Sequence, residues 1–232
     1  MAQGRDLPRS YEEEDKAAFI EINQHTLTDR ERIIGLTRAV RYIEQAGIPG
    51  DIVECGVWKG GSMMAVARTL LNLGSTERQV YLFDTFEGMT APTDLDTRQE
   101  YGSAKGIWNR RKSVGTSWVR SPLDEVKRNM ASVGYPEENT VYIQGRVEDT
   151  LPAAAPESIA ILRLDTDWYE STLHEMIHLF PQLQEGGVLI LDDYFTWQGS
   201  RIAVDEYLEE HGIRIFLAPL SRGASISVKQ GA

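Results

Sequence analysis

The chain has 232 residues and a mass of 26.1 kDa, enough for one large domain with a substantial core and too little for two. Its 41% hydrophobic and 25% charged residues exclude collagen-like, mucin-like and disordered compositions, and a net charge of −11 repels the phosphate backbone of nucleic acid. A lone cysteine, Cys55, excludes an internal disulfide and a cysteine zinc site, no apolar run approaches a bilayer span, and residues 1–16 are polar and acidic, so a cytoplasmic protein without a membrane partner is expected.

In chain order, residues 12–26 predict a helix, and Thr28-Asp29-Arg30-Glu31 predicts a capping box opening a second helix. That second helix carries Ile33, Ile34, Leu36, Val40 and Ile43 at helical spacing until Gly47, Pro49 and Gly50 end it. Residues 1–48 therefore read as a helical extension of a single domain spanning 1–232, with an apolar face open to self-association into a homo-oligomer. Strands and helices then alternate. Strands are predicted at 51–58, 79–86, 139–147, 159–167 and 186–195, helices at 61–73, 121–133, 171–183 and 199–211, and two last strands at 213–220 and 224–229. The runs ILRLD and VLILD are almost wholly apolar, which marks strands buried on both faces. The predicted fold is a doubly wound α/β sandwich with a mostly parallel sheet.

Residues 89–120 break this rhythm. They are polar, contain Gly102, Gly106 and Gly115, and carry the large aromatics Tyr101, Trp108 and Trp118, so the segment is expected to act as a lid or binding loop.

Ligands of open parallel sheets bind beyond the carboxyl ends of the strands, and here those ends are acidic. The first strand runs through Glu54 into a turn with Gly56, Gly60, Gly61 and Ser62, and the next ends at Asp84, an acid placed to accept from the two hydroxyls of a ribose. The turn lacks the dinucleotide spacing G-x-G-x-x-G, and Glu54 disfavours a pyrophosphate while suiting the positive charges of S-adenosylmethionine. Two later strands end in Asp165 and Asp167 and in Asp192 and Asp193; with adjacent strands roughly 5 Å apart, Asp165, Asp192 and Asp193 can surround one point. Hard carboxylate oxygens without cysteine suit Mg²⁺ or Ca²⁺, and capping of the following helices is the alternative use of Asp167 or Asp193. Asp165 and Asp167, two residues apart, point to one side if the strand persists.

His174-Glu175-Met176-Ile177-His178 spells the H-E-x-x-H zinc motif, but Pro181 follows closely and no third histidine stands at the longer spacing. The predicted helix instead lays Leu173, Met176, Ile177 and Phe180 on the sheet and leaves its histidines on the flank. Cys55 reads as a core residue. Arg110-Arg111-Lys112 reads as a solvated face.

Taken together, VECGVWKGGS, LFDTFEGM, GRVEDTLP, LRLDTDWYEST and GGVLILDDY resemble the macrocin O-methyltransferase family, Mg²⁺-dependent sugar methyltransferases of antibiotic pathways, from about Thr26 to the last strand. The resemblance implies a Rossmann-like class I methyltransferase fold with added N-terminal helices. It assigns Glu54, Gly56 and Ser62 to the methionine end of S-adenosylmethionine, Asp84 and Thr85 to its ribose side, and Gly145, Arg146, Val147 and Glu148 to the adenine region. It also implies Asp165, Asp192 and Asp193 as Mg²⁺ ligands and Asp167, or failing that Asp165, as the general base. The implied reaction is methylation of a sugar hydroxyl on a glycosylated small molecule; a catechol-type phenol acceptor is the alternative.

Overall fold

The computed structural model describes residues 11–98, 102–113 and 117–231; the expectations placed on residues 1–10, Tyr101 and Gly115 lie outside them. Two helices, α1 (Glu13–Ile22) and α2 (Arg30–Ala46), precede the sheet. The α2 cap is Asp29, whose side chain accepts from the Arg32 amide at 2.9 Å, and not Thr28, whose hydroxyl is drawn to Arg163. Gly47 ends the helix in the left-handed conformation, its amide returning to Glu44 and Ile43.

From there the chain alternates: β1 (Asp51–Cys55), α3 (Gly61–Leu73), β2 (Val80–Asp84), β3 (Thr97–Arg98), β4 (Gly102–Ser103), α4 (Ala104–Ser113), α5 (Leu123–Val133), β5 (Thr140–Gln144) and α6 (Val147–Thr150). Then follow β6 (Ile159–Leu164), α7 (Tyr169–His178), β7 (Leu183–Leu191), α8 (Gln198–Glu210), β8 (Ala218–Pro219) and β9 (Ser225–Val228). The main sheet has seven strands in the order β5-β2-β1-β6-β7-β9-β8, parallel from β5 to β7 and antiparallel beyond. Every residue of β6 is buried, as an apolar central strand requires. Helices α2 and α3 pack on one face, with Ile33, Val40 and Ile43 against Met63, Val66 and Leu70. Helices α7 and α8 cover the other, with Met176, Val204 and Tyr207 in one apolar cluster with Leu162 and Leu189. The predicted α/β sandwich is thus present, and no helix among the described residues is long and apolar enough to cross a membrane.

Two elements differ from expectation. Residues 213–217 form no strand: Ile213, Ile215 and Leu217 pack against the α7–α8 side of the core from an irregular segment, and Pro219 confines pairing to the sheet edge. The described residues of the 89–120 segment carry β3, β4 and α4 and are pinned to the domain. The buried Asp96 accepts from the Thr93 amide at 2.6 Å, the Thr93 hydroxyl at 2.9 Å and the Tyr169 amide at 2.8 Å, and a Cβ on Gly199 would collide with its carboxylate. Trp118 completes an edge-to-face triad with Trp168 and Trp197, at centroid distances of 5.7 and 6.4 Å. Trp108 lies half-buried on α4. Because Asp96→Ala strands the Thr93 and Tyr169 amides, it is expected to cost on the order of 2–4 kcal/mol and to speed cleavage within 89–120 in limited proteolysis; wild-type cleavage and melting would remove Asp96 as the anchor.

Candidate active site

The chain steps outward from β1 to β2 and β5, then returns to the other side of β1 with β6, so the switch point lies where β1 and β6 end side by side. A cleft of about 1140 Å³, counting its open mouth, occupies that position. Gly56 turns out of β1 at φ +83°, and a Cβ there would collide with the Asp165 carbonyl, so only glycine lets the two strand exits pass. Asp84, at the end of β2, holds this turn: its Oδ2 accepts from the Val57 and Trp58 amides at 2.8 and 3.1 Å, and its Oδ1 from the Phe86 amide at 2.7 Å. Trp58, which lines the cleft, and Phe86, which is buried, both have positive φ, so the carboxylate stabilises two strained residues. Burial raises the Asp84 carboxyl, against the lowering effect of those amides. Ser62, Thr85 and the 145–148 turn line the remaining wall.

On the floor lies a feature the sequence reading missed. Arg163, the residue before the last of β6, is buried and in register with Glu54 of β1, with which it forms an ion pair. Its Nη2 also reaches Asp165 at 2.8 Å, the Thr28 hydroxyl at 3.1 Å and Asp192. The other Glu54 oxygen, Oε2, is buried without a hydrogen-bond partner, and Glu54 lines the cleft, a combination that fits the ammonium of a methionine moiety.

Above this floor, carboxylate oxygens of Asp165, Asp167 and Asp193 lie within 4.8 Å of one another. The trio differs from the expected set. Asp167 stands in the trio, whereas Asp192, which shares Arg163 Nη2 with Asp165, has Arg32 at one oxygen and Arg163 at the other. Asp167 arrives there by a turn and not by strand alternation: β6 ends at Leu164, and Asp167 has φ +68°. Burial raises the Asp165 and Asp193 carboxyls well above the ordinary range, Arg163 opposing this at Asp165. Burial likewise pushes Asp167 up to about 7, against the lowering effect of hydrogen bonds from Asp193 and Trp197. One Asp193 oxygen has no hydrogen-bond partner. Crowded, partly neutralised carboxylates with an unsatisfied oxygen fit a hard divalent cation.

The H-E-x-x-H residues do not converge on this cluster. His174 and His178 face each other at 4.3 Å between ring centroids, whereas Glu175 is buried with its carboxylate on the Thr166 hydroxyl. This rotation of α7 exposes Ile177, which was expected on the sheet. Burial pushes the Cys55 thiol up, as befits a core residue. The basic run at 110–112 is exposed on α4.

The sequence profile described as Macrocin-O-methyltransferase (TylF) matches residues 9–224. The chain belongs to this family. It is 35% identical over 82% of its length, and 69% of the relative's, to the 8-demethyl-8-(2,3-dimethoxy-alpha-L-rhamnosyl)-tetracenomycin-C 4'-O-methyltransferase of Streptomyces olivaceus. It is 32% identical to the mycinamicin III 3''-O-methyltransferase of Micromonospora griseorubida, over 85% of this chain and 76% of that one. The solved structure of the O-methyltransferase NovP superposes with a TM-score of 0.78 at 29% identity, covering 99% of this chain and 86% of the other. The protein is therefore an S-adenosylmethionine-dependent O-methyltransferase.

The raised Asp167 carboxyl has a measurable consequence. The folded protein keeps to about pH 7 a proton that the unfolded chain gives up near pH 4, so between those values rising pH draws stability from the fold. In chelator, the Tm of Asp167→Asn should fall less than that of the wild type from pH 5 to pH 8, and parallel profiles would place Asp167 in an ordinary environment.

Proposed function

We propose that this enzyme methylates a sugar hydroxyl of a glycosylated small molecule, using S-adenosylmethionine and Mg²⁺. The observation that carries the reading is the convergence of Asp165, Asp167 and Asp193 at the switch point, beside the Glu54 and Gly56 turn. The names of the relatives support the substrate class: one is a 4'-O-methyltransferase of a rhamnosyl-tetracenomycin, one a 3''-O-methyltransferase of mycinamicin III, and a third, of Streptomyces niveus, is a demethyldecarbamoylnovobiocin O-methyltransferase, 32% identical over 86% of this chain and 74% of its own.

In this reading Glu54 Oε2 receives the cofactor's amino group, Gly56 and Ser62 admit its methionine end, Asp84 and Thr85 face the ribose, and Gly145, Arg146, Val147 and Glu148 border the adenine. Asp165 and Asp193 hold the cation, with Asp192, shared with Arg32 and Arg163, as the third carboxylate. When bound, the cofactor supplies a methyl on a sulfonium, and the cation supplies a Lewis acid that lowers the pKa of the acceptor hydroxyl. The chain's work is alignment and deprotonation. Asp167 takes the hydroxyl proton on its carboxylate, and the 89–120 segment, bordering the cleft through Met89, Thr90 and Val119, limits water at the acceptor.

Methyl transfer from labelled S-adenosylmethionine to a panel of glycosylated natural products and simple catechols tests the proposal. Turnover is expected on sugars, abolished by EDTA and restored by Mg²⁺; turnover confined to catechols would contradict the acceptor class. Asp167→Asn should lower the rate on the order of 100-fold to 10,000-fold while leaving calorimetric cofactor affinity intact. An undiminished rate would move the base elsewhere, with Asp165 next in line.

A further inference from the structure

Arg32 has no part in the chemistry just described, yet it reaches the carboxylate cluster from a different part of the chain. It sits in the first turn of α2, outside the sheet, with its side chain largely buried. Its Nε donates to the Ser221 hydroxyl at 2.8 Å and lies 3.3 Å from Asp29, and its Nη1 pairs with Asp192 Oδ2. The hairpin joining β8 to β9 lies close against it: a Cβ on Gly223 would meet the Thr196 hydroxyl and Nη2 of Arg32. The guanidinium borders the cleft. Burial works against its charge, and the carboxylates of Asp192, Asp29, Asp193 and Asp165 more than offset this, so it stays charged.

We propose that Arg32 is a built-in competitor of the divalent cation, a fixed positive charge that holds Asp192 and thereby sets how tightly the carboxylate cluster binds metal. The inference rests on the cation reading above. Asp192 has two oxygens; Arg163 lies beneath one and Arg32 beside the other, so a cation drawing on Asp192 must share it with Arg32. Arg163 cannot play this part, because it is enclosed by Glu54, Asp165, Asp192 and Thr28 and its removal would leave buried charges unpaired. Arg32 is different in kind, since it enters from the cleft side and is tethered by a hydroxyl and a helix-capping acid. Arg32 is thus a positioning residue: it acts on the metal through Asp192 and also fastens α2 to the β8–β9 hairpin.

The test needs no acceptor. Mn²⁺ binding to the full-length protein is measured by electron paramagnetic resonance and Mg²⁺ binding by calorimetry, for wild type, Arg32→Met and Arg32→Lys, with melting curves alongside. Arg32→Met is expected to bind Mn²⁺ about tenfold more tightly or better, because a like charge has left the cluster, and Arg32→Lys, which keeps the charge, should stay near the wild type. Ser221→Ala, which frees the guanidinium without removing it, should shift affinity in the same direction by less and guards against misfolding of Arg32→Met. Equal or weaker Mn²⁺ binding in folded Arg32→Met, with wild-type binding intact, would overturn the inference alone. Absence of Mn²⁺ binding to the wild type would overturn the cation reading and the inference with it.

Discussion

A guanidinium buried in the middle of a parallel sheet is the constraint on which the site depends. Removing Arg163 from water costs several kcal/mol unless every side of it is answered by charge or hydrogen bond, and the strand ends are arranged to answer it. Glu54 pairs with it across the β1–β6 register, Asp165 and Asp192 meet it from above, and Thr28 closes the remaining side. The consequence is a rigid joint between two halves of the site. In the proposed reading Glu54 lies on the cofactor side and the aspartates on the acceptor side, and the Arg163 guanidinium contacts both.

Local strain serves the same end. Trp58, Phe86 and Asp167 take left-handed conformations that cost free energy for residues with side chains; Trp58 and Asp167 line the cleft, and Phe86 is buried in the core. Asp84 stabilises the first two through three backbone amides. Asp167 turns back toward Asp165 and Asp193, so the carboxylates are preorganised for charge before any ligand arrives. The helices ahead of the sheet contribute as well: Thr28 and Arg32 both reach the site, which makes that extension part of its wall.

Much of this was legible in the sequence because hydrophobic patterning reports burial directly. The apolar runs of β6 and β7 and the glycine turn after β1 announce a parallel sheet and its switch point, and acids at strand ends stand out against them. What stayed hidden depends on long-range pairing. Arg163 looks like a polar interruption in ILRLD until β1 is set beside it and Glu54 falls opposite. Asp192 and Asp167 exchanged places in the converging trio because side-chain direction after a strand end is decided by the turn and by nearby arginines. Ile177 was expected on the sheet and Glu175 was not expected to be buried, because helical period alone does not fix the rotation of α7. The one clue to Arg163 and Arg32 was a surplus of acids at the strand ends, which demands compensating cations.

The central claim is that the carboxylates at the switch point hold a divalent cation. The most direct measurement is an anomalous difference map from crystals grown with Mn²⁺ and S-adenosylhomocysteine. A single strong peak is predicted within bonding distance of Asp165 and Asp193 and beside Asp167. A peak at His174 and His178, or none at the aspartates in crystals that bind the nucleoside, would contradict it.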